Sequence, residues 1–230
     1  MPPPYEATWL LPSSARVRGH NAFWITDLVL LNTGTQTARV SLRFLGHAGN
    51  GSAGQEQVFD IQARGTLVLP DVLSTVFGRE SDWGPILIRA SAATLAVQGQ
   101  TRTASPTGGW YGQSVPALTG AEFLGSSPKG LAGLRQDSQA RTKIVFANAR
   151  ETEATVTLQV LLGDATTATT RSVTVGPFGF VQLNLADDLG VASFSGGSAL
   201  VSCLTPECQV AVYASIIDTA TADPKTILAR

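Results

Sequence analysis

One stretch of this chain occurs twice, and that repetition constrains the fold more than any other feature. Residues 25–42 return as residues 141–158: Thr26 and Thr142, Asn32 and Asn148, and Leu42 and Leu158 are each 116 positions apart. The correspondence continues beyond the core stretch. Arg64-Gly65 matches Phe178-Gly179 at a spacing of 114, Leu87 matches Leu200 at 113, and Leu95 matches Val210 at 115. Spacing that drifts by one or two residues between matched segments is the signature of a duplicated unit with loops of unequal length.

Within each copy the pattern predicts strand, turn, strand. Ala38, Val40, Leu42 and Phe44 alternate with Arg39, Ser41 and Arg43, and the second copy keeps Ala154, Val156, Leu158 and Val160 in step against Thr155, Thr157 and Gln159. Period two with one apolar face is the pattern of a half-buried antiparallel strand. The preceding strand places Leu28 and Leu30 (Ile144 and Phe146 in the second copy) on one face. It also carries Val29 and Val145 on the other, which predicts a central position in the sheet. Asn32-Thr-Gly-Thr35 reads as turn chemistry, because Asn and Gly tolerate left-handed backbone angles. Apart from a short helical turn expected within 71–77 and another within 186–189, no helical periodicity is found.

With 230 residues, 43% of them hydrophobic, the chain is long enough for two domains that each bury a core. Charged residues make up 14% and net charge is −1, so neither nucleic acid nor an anionic membrane surface is an expected partner. No apolar run approaches the roughly 18 residues of a membrane-spanning helix. The opening Met1-Pro-Pro-Pro-Tyr-Glu lacks the basic and apolar regions of a signal peptide. Two expectations remain: a cytoplasmic chain, or a secreted one whose leader has been removed.

About seven strands per copy, separated by turn signals every 8 to 12 residues, predict an all-β fold of two tandem antiparallel β-sandwiches from an internal duplication. The run Leu30-x-Asn32-x-Gly34-x-x-x-Ala38-x-Val40-x-Leu42-x-Phe44 resembles the Asn-turn hairpin of the immunoglobulin-like modules that bacteria string together in secreted and cell-surface proteins. The resemblance covers the core hairpin of each copy. It implies an immunoglobulin-like sandwich and an extracytoplasmic setting, and it brings no active site. The expected domains are 1–107 and 108–230, joined through the Ser-, Pro- and Gly-rich residues 104–112. Residues 113–116 are expected to open the second sandwich and residues 119–134 to form a loop. A single larger jelly roll built from both copies is the alternative.

The chemistry-bearing residues are few. His20 and His47 lie in polar, glycine-bearing stretches, and no Gly-x-Ser-x-Gly places a nucleophile. The two histidines and two cysteines do not have zinc-ligand spacing, and Gly46–Gly54 lacks the Lys-Ser/Thr ending of a phosphate loop. Asn50-Gly51-Ser52 fits a glycosylation sequon but reads first as a turn. Asp187, Asp188, Asp218 and Asp223 are oxygen-rich but do not match a calcium loop. No metal, cofactor or catalytic residue is therefore expected. Cys203 and Cys208 sit in a hairpin two residues longer than its counterpart and are expected to form a disulfide, which favours an oxidising compartment. Trp24, Trp110 and Tyr111 are the candidate binding residues: Trp24 stands where the second copy has Ala140, and Trp110-Tyr111 lies in the expected join. The expected function is a non-enzymatic structural or adhesive module of an extracellular or surface protein, acting through protein–protein association. A carbohydrate-binding module using those aromatics is the alternative.

Overall fold

The computed structural model describes residues 5–19, 22–47, 51–105 and 107–230. His20, Asn50 and the opening prolines lie outside the described residues. The chain divides into two compact units, Met1–Gly120 and Ala121–Arg230. Both are built almost wholly of antiparallel strands, as the duplication requires, rather than merging into one jelly roll.

The first unit contains β1 (Ala7–Gly19), β2 (Ala22–Asn32), β3 (Ala38–Phe44), β4 (Glu56–Ile61), β5 (Thr66–Leu69), the short helix α1 (Val72–Thr75), β6 (Asp82–Ala90), β7 (Leu95–Ala104) and β8 (Trp110–Pro116). The second contains β9 (Lys129–Gln136), β10 (Ala140–Asn148), β11 (Ala154–Leu161), β12 (Thr167–Val175), β13 (Phe180–Asn184), β14 (Phe194–Cys203), β15 (Val210–Asp218) and β16 (Pro224–Leu228). In the second unit the order is β13-β10-β15-β16 in one sheet and β12-β11-β14-β9 in the other. The first unit repeats both orders, β1 standing for β9 and β8 for β16. There, however, β1 pairs along Ala7–Arg16 with β6 and along Arg16–Gly19 with β2, which joins the two layers into one hydrogen-bonded path.

Each copy thus has eight strands, and the extra one explains two departures from the expected layout. Residues 113–116 belong to the first unit, because Trp110–Pro116 pairs along its whole length with β7. Leu118 then bridges to Leu10, and Thr119 Oγ1 donates to the Thr8 carbonyl, so the unit runs on to Gly120 rather than 107. Residues 119–134 are not one loop. They include most of β9, which pairs with β14. Its alternation is masked by Gly133, a residue with φ of +77° at a shift in register. Leu131 and Leu134 therefore both point into the core although three positions apart. Pro12 has a similar effect in β1: it falls in the bulge between Leu11 and Ser14 and interrupts the strand without ending it.

The cores sit between the layers. Leu28, Leu30, Val40 and Leu42 are fully buried with Ile86 and Ile88, and Ile144, Phe146, Val156 and Leu158 occupy the matching places in the second unit. Two polar side chains are buried with them in both copies. Asn32 Nδ2 donates to the carbonyls of Gln36, Ile61 and Gln62, and its Oδ1 accepts from Gly34 N. Asn148 Nδ2 donates to Thr152, Val175 and Gly176, and its Oδ1 accepts from Arg150 N. These asparagines are therefore buried brackets closing the sandwich end, and the turn they begin is secondary. Thr26 Oγ1 accepts from Ala15 N while Thr142 Oγ1 donates to Arg135 O, so each copy ties its first strand to its second through the same threonine.

Candidate functional site

Strand alternation sends Thr26, Leu28 and Leu30 of β2 inward, and so Phe23, Ile25, Asp27, Val29 and Leu31 outward. Register extends this outer face sideways. Val68 of β5 lies beside Val29, Arg102 of β7 beside Ile25, Gln100 beside Asp27, Gln98 beside Val29, and Gly112 and Ser114 of β8 continue the rows. Four of the five outward positions of this central strand are apolar. Phe23 is 40% exposed and Leu31 36%, while Val68 at 58% and Trp110 at 62% stand at the flanks. A sheet face in contact with water normally carries polar residues at these places, and apolar side chains gathered on one face mark an interaction surface.

Charged groups hold the middle of the face rigid. Arg102 Nε bonds Asp27 Oδ2 at 2.5 Å, and the guanidinium lies 4.0 Å from the centroid of the Trp110 ring. Both charged side chains are only about one-fifth exposed. Gly112 is directly across from Arg102, and a Cβ there would come within 2.2 Å of the Thr101 carbonyl oxygen. Glycine leaves the path from Arg102 to Trp110 clear. The other Asp27 oxygen accepts from Asp71 N at 2.9 Å, Asp71 in turn contacts Arg16, and Arg16 lies over the Phe23 ring at 5.3 Å. The result is a continuous chain of polar contacts, two ion pairs joined by the Asp71 amide, linking Phe23 at one side to Trp110 at the other. Cation–π contacts of this kind contribute about 0.5–1 kcal/mol at exposed sites, enough to bias the rotamers of the two large aromatics.

The three nominated aromatics do not form one platform. Trp110 belongs to the outer face, whereas Tyr111 points the opposite way, on the same side of the strand pair as the buried Thr103. Trp24 shares the inward parity of Thr26 and lies against Gly19, where a Cβ would meet its Nε1 at 2.9 Å. Trp110-Tyr111 is thus part of a strand of the first unit and not a link between domains. Phe23, Val68 and Arg102 were missed. The signal for Phe23 was present in the apolar residues at both parities of β2, which also indicate central pairing; Arg102 meets Asp27 and Trp110 only through strand register.

Elsewhere, Cys203 and Cys208 form a disulfide with Cα atoms 6.4 Å apart, closing the β14–β15 loop. The buried Cys203 takes the place of Ala90 in the first copy. His47 stacks on Trp83 at 3.4 Å between ring centroids and bonds Asp82 Oδ1 through Nδ1 at 2.9 Å. Asp188 and Asp218 accept hydrogen bonds from amides of their own turns, and backbone and side-chain bonds from Thr221 hold the Asp218 carboxyl below its ordinary pKa. Among the described residues no group of three or more His, Cys, Asp or Glu converges as a metal site, and no helix is long and apolar enough to cross a membrane.

No protein-family model matches the chain, and no curated protein matches it. Among solved structures, the crystal structure of Thermotoga maritima 1070 is 16% identical, covering 51% of this chain and 96% of that one at a TM-score of 0.40. A Bacteroides uniformis β-glucuronidase 2 is 12% identical over 98% of this chain and 26% of that one, with a TM-score of 0.19. A β-glucuronidase from glycoside hydrolase family 2 is 8% identical over 94% and 25%, also at 0.19. The chain spans about a quarter of the length of these glucuronidases. Likenesses at these scores are generic to β-sandwiches and carry no activity across.

Proposed function

We propose that this chain is a non-enzymatic, immunoglobulin-like structural or adhesive module that works by protein association through the outer face of β5-β2-β7-β8. The supporting observation is the set of outward apolar side chains on that face, Phe23, Ile25, Val29, Leu31 and Val68, beside a Trp110 that packs on Arg102. Large apolar groups at the centre and charges already paired within the chain are what a partner surface meets with little desolvation cost. The disulfide favours an oxidising, extracellular or cell-surface setting. Self-association is the form tested first, by light scattering and negative-stain imaging across a concentration series. Mass that grows with concentration, and growth that Val68→Lys abolishes, is the expected result. A particle that stays monomeric throughout contradicts it. The second reading, carbohydrate binding, draws on the open face of Trp110; glycan-array binding lost in Trp110→Ala would favour it over association.

A further inference from the structure

We propose that the first unit carries a second and separate site, a cleft at one end of the sandwich that binds a sugar acid: a pyranose-sized hydroxylated ring bearing a carboxylate. The cleft encloses about 310 Å³ and is lined by Phe44, Gly54, Gln55, Gln57, Phe77 and Arg79. It does not depend on the association face, from which it differs in every residue.

The duplication supplies the argument that the fold does not require these residues. After α1, Gly78 adopts φ of +63° and donates to Ser74 O, and Arg79 N donates to Leu73 O. The second copy makes the same helix ending with Gly190, φ +69°, donating to Ala186 O, and Val191 N donating to Leu185 O. Arg79 therefore stands where the second unit has Val191, a buried core residue. By the same alignment Phe77 replaces Leu189, and by the 116-residue spacing Phe44 replaces Val160, both buried in the second core. Gln57 sits opposite Leu42 just as Arg171 sits opposite Leu158. Where the second sandwich has the buried aliphatic side chains Val160, Leu189 and Val191, the first has two aromatic rings and a guanidinium.

The chemistry of the lining selects the ligand. The half-buried Phe77 offers an apolar wall to the C–H face of a ring, while Phe44, 5% exposed and 5.8 Å away between centroids, lies beneath the Arg79 guanidinium, which stands 5.8 Å over its ring. Gln55, just before β4, and Gln57, within it, both line the cleft. Each carboxamide both donates and accepts, matching hydroxyls, which do the same. Arg79 approaches one carboxylate among the described residues, Asp82, at 4.0 Å through Nε. Its two Nη groups keep the planar fork that matches a carboxylate. A simple aromatic acid would leave both carboxamides without partners, and a volume near the lower bound for small-molecule pockets holds one ring rather than a peptide. Gly54 shapes the wall: a Cβ there would lie 2.5 Å from the Phe44 carbonyl oxygen.

The test is an NMR titration of the whole chain with galacturonate, galactose and acetate, following backbone and side-chain amide signals. Galacturonate is expected to shift the Gln55 and Gln57 side-chain amides saturably, at a Kd on the order of 1 mM as befits a sugar-sized ligand. Galactose and acetate should each bind at least ten-fold more weakly. Arg79→Val restores the second copy's residue and should weaken galacturonate ten-fold or more with the amide fingerprint otherwise kept. Gln55→Ala/Gln57→Ala, at an exposed and a half-buried position, gives the same reading should the first variant fail to fold. Unmoved Gln55 and Gln57 amides overturn the proposal. So does equal binding of galactose or acetate, or galacturonate binding unchanged in the variants.

Discussion

The two units are copies of one plan, and their differences separate what the sandwich requires from what it leaves open. Both keep a buried asparagine with three carbonyl partners, a buried threonine tying the first strand to the second, and an apolar core on β2-β3 or β10-β11. They part company at the surface. Phe23, Ile25, Asp27, Val68 and Arg102 of the first unit stand where the second has Gln139, Arg141, Lys143, Gln182 and Ile217. A fold that forms with either set does not require the first. At Val29 and Leu31 the second copy is apolar too, with Val145 and Ala147, so the part of the face that folding does not account for is Phe23, Ile25, Val68 and the Asp27–Arg102–Trp110 network.

The comparison can be broken first in the cores. Leu42→Ala and Leu158→Ala should each cost about 2–5 kcal/mol, read by denaturant unfolding. A large loss from only one of them would mean that the cores are not equivalent. Next come the brackets. Asn32→Ala and Asn148→Ala each leave buried carbonyls unpaired and should each cost about 3 kcal/mol. A pair of near-neutral results would return these residues to mere turn formation. The disulfide is confined to the second unit, so Cys203→Ala/Cys208→Ala should lower stability by about 2 kcal/mol on the chain-entropy model for a short loop. Hydrogen exchange should localise that loss to β14 and β15, leaving the first unit's protection unchanged.

The smallest expected effect is a gain. Burial lowers the pKa of Lys143, which replaces Asp27, below the usual lysine value of 10.5, and the charge of Arg141 adds to the shift. A lysine whose folded pKa is depressed is penalised in full below that folded value, where both states are protonated. The penalty is relieved as pH rises toward 10.5, because the unfolded chain then holds the proton the folded one has lost. Lys143→Met should therefore raise Tm slightly at pH 7, with the gain shrinking at alkaline pH. A loss at pH 7 would show that the ammonium has a stabilising partner.

Most of the fold was legible because duplication and alternation are both written in residue spacing. Leu42 and Leu158 could be placed in a core from their positions alone. What escaped were strands whose pairing shifts in register. Gly133 adds a residue to β9 and moves Leu134 out of step with Leu131, so period two fails where a strand is present. In β1, residues 8–12 read as a short strand ended by Pro12, and the register shift there hid its continuation to Gly19. Trp110-Tyr111 looked like linker because Gly108 and Gly109 precede it, yet those glycines turn a hairpin and β8 belongs with β7. The candidate face was half legible. Apolar residues at Phe23, Ile25, Val29 and Leu31 were visible, but the same pattern describes a strand buried on both sides. Arg102 meets Asp27 across 75 residues of chain, and only strand register brings them together.

The most direct test of the association face uses the second copy as the donor of residues. Phe23→Gln, Ile25→Arg and Val68→Gln together give the first unit the side chains its counterpart carries at those places. Sedimentation velocity across a concentration series compares that triple variant with the unaltered chain. The unaltered chain is expected to sediment faster as concentration rises, and the variant to remain a monomer with an unchanged circular-dichroism spectrum and unfolding midpoint. Equal association of both chains, or none in either, would contradict the assignment of this face.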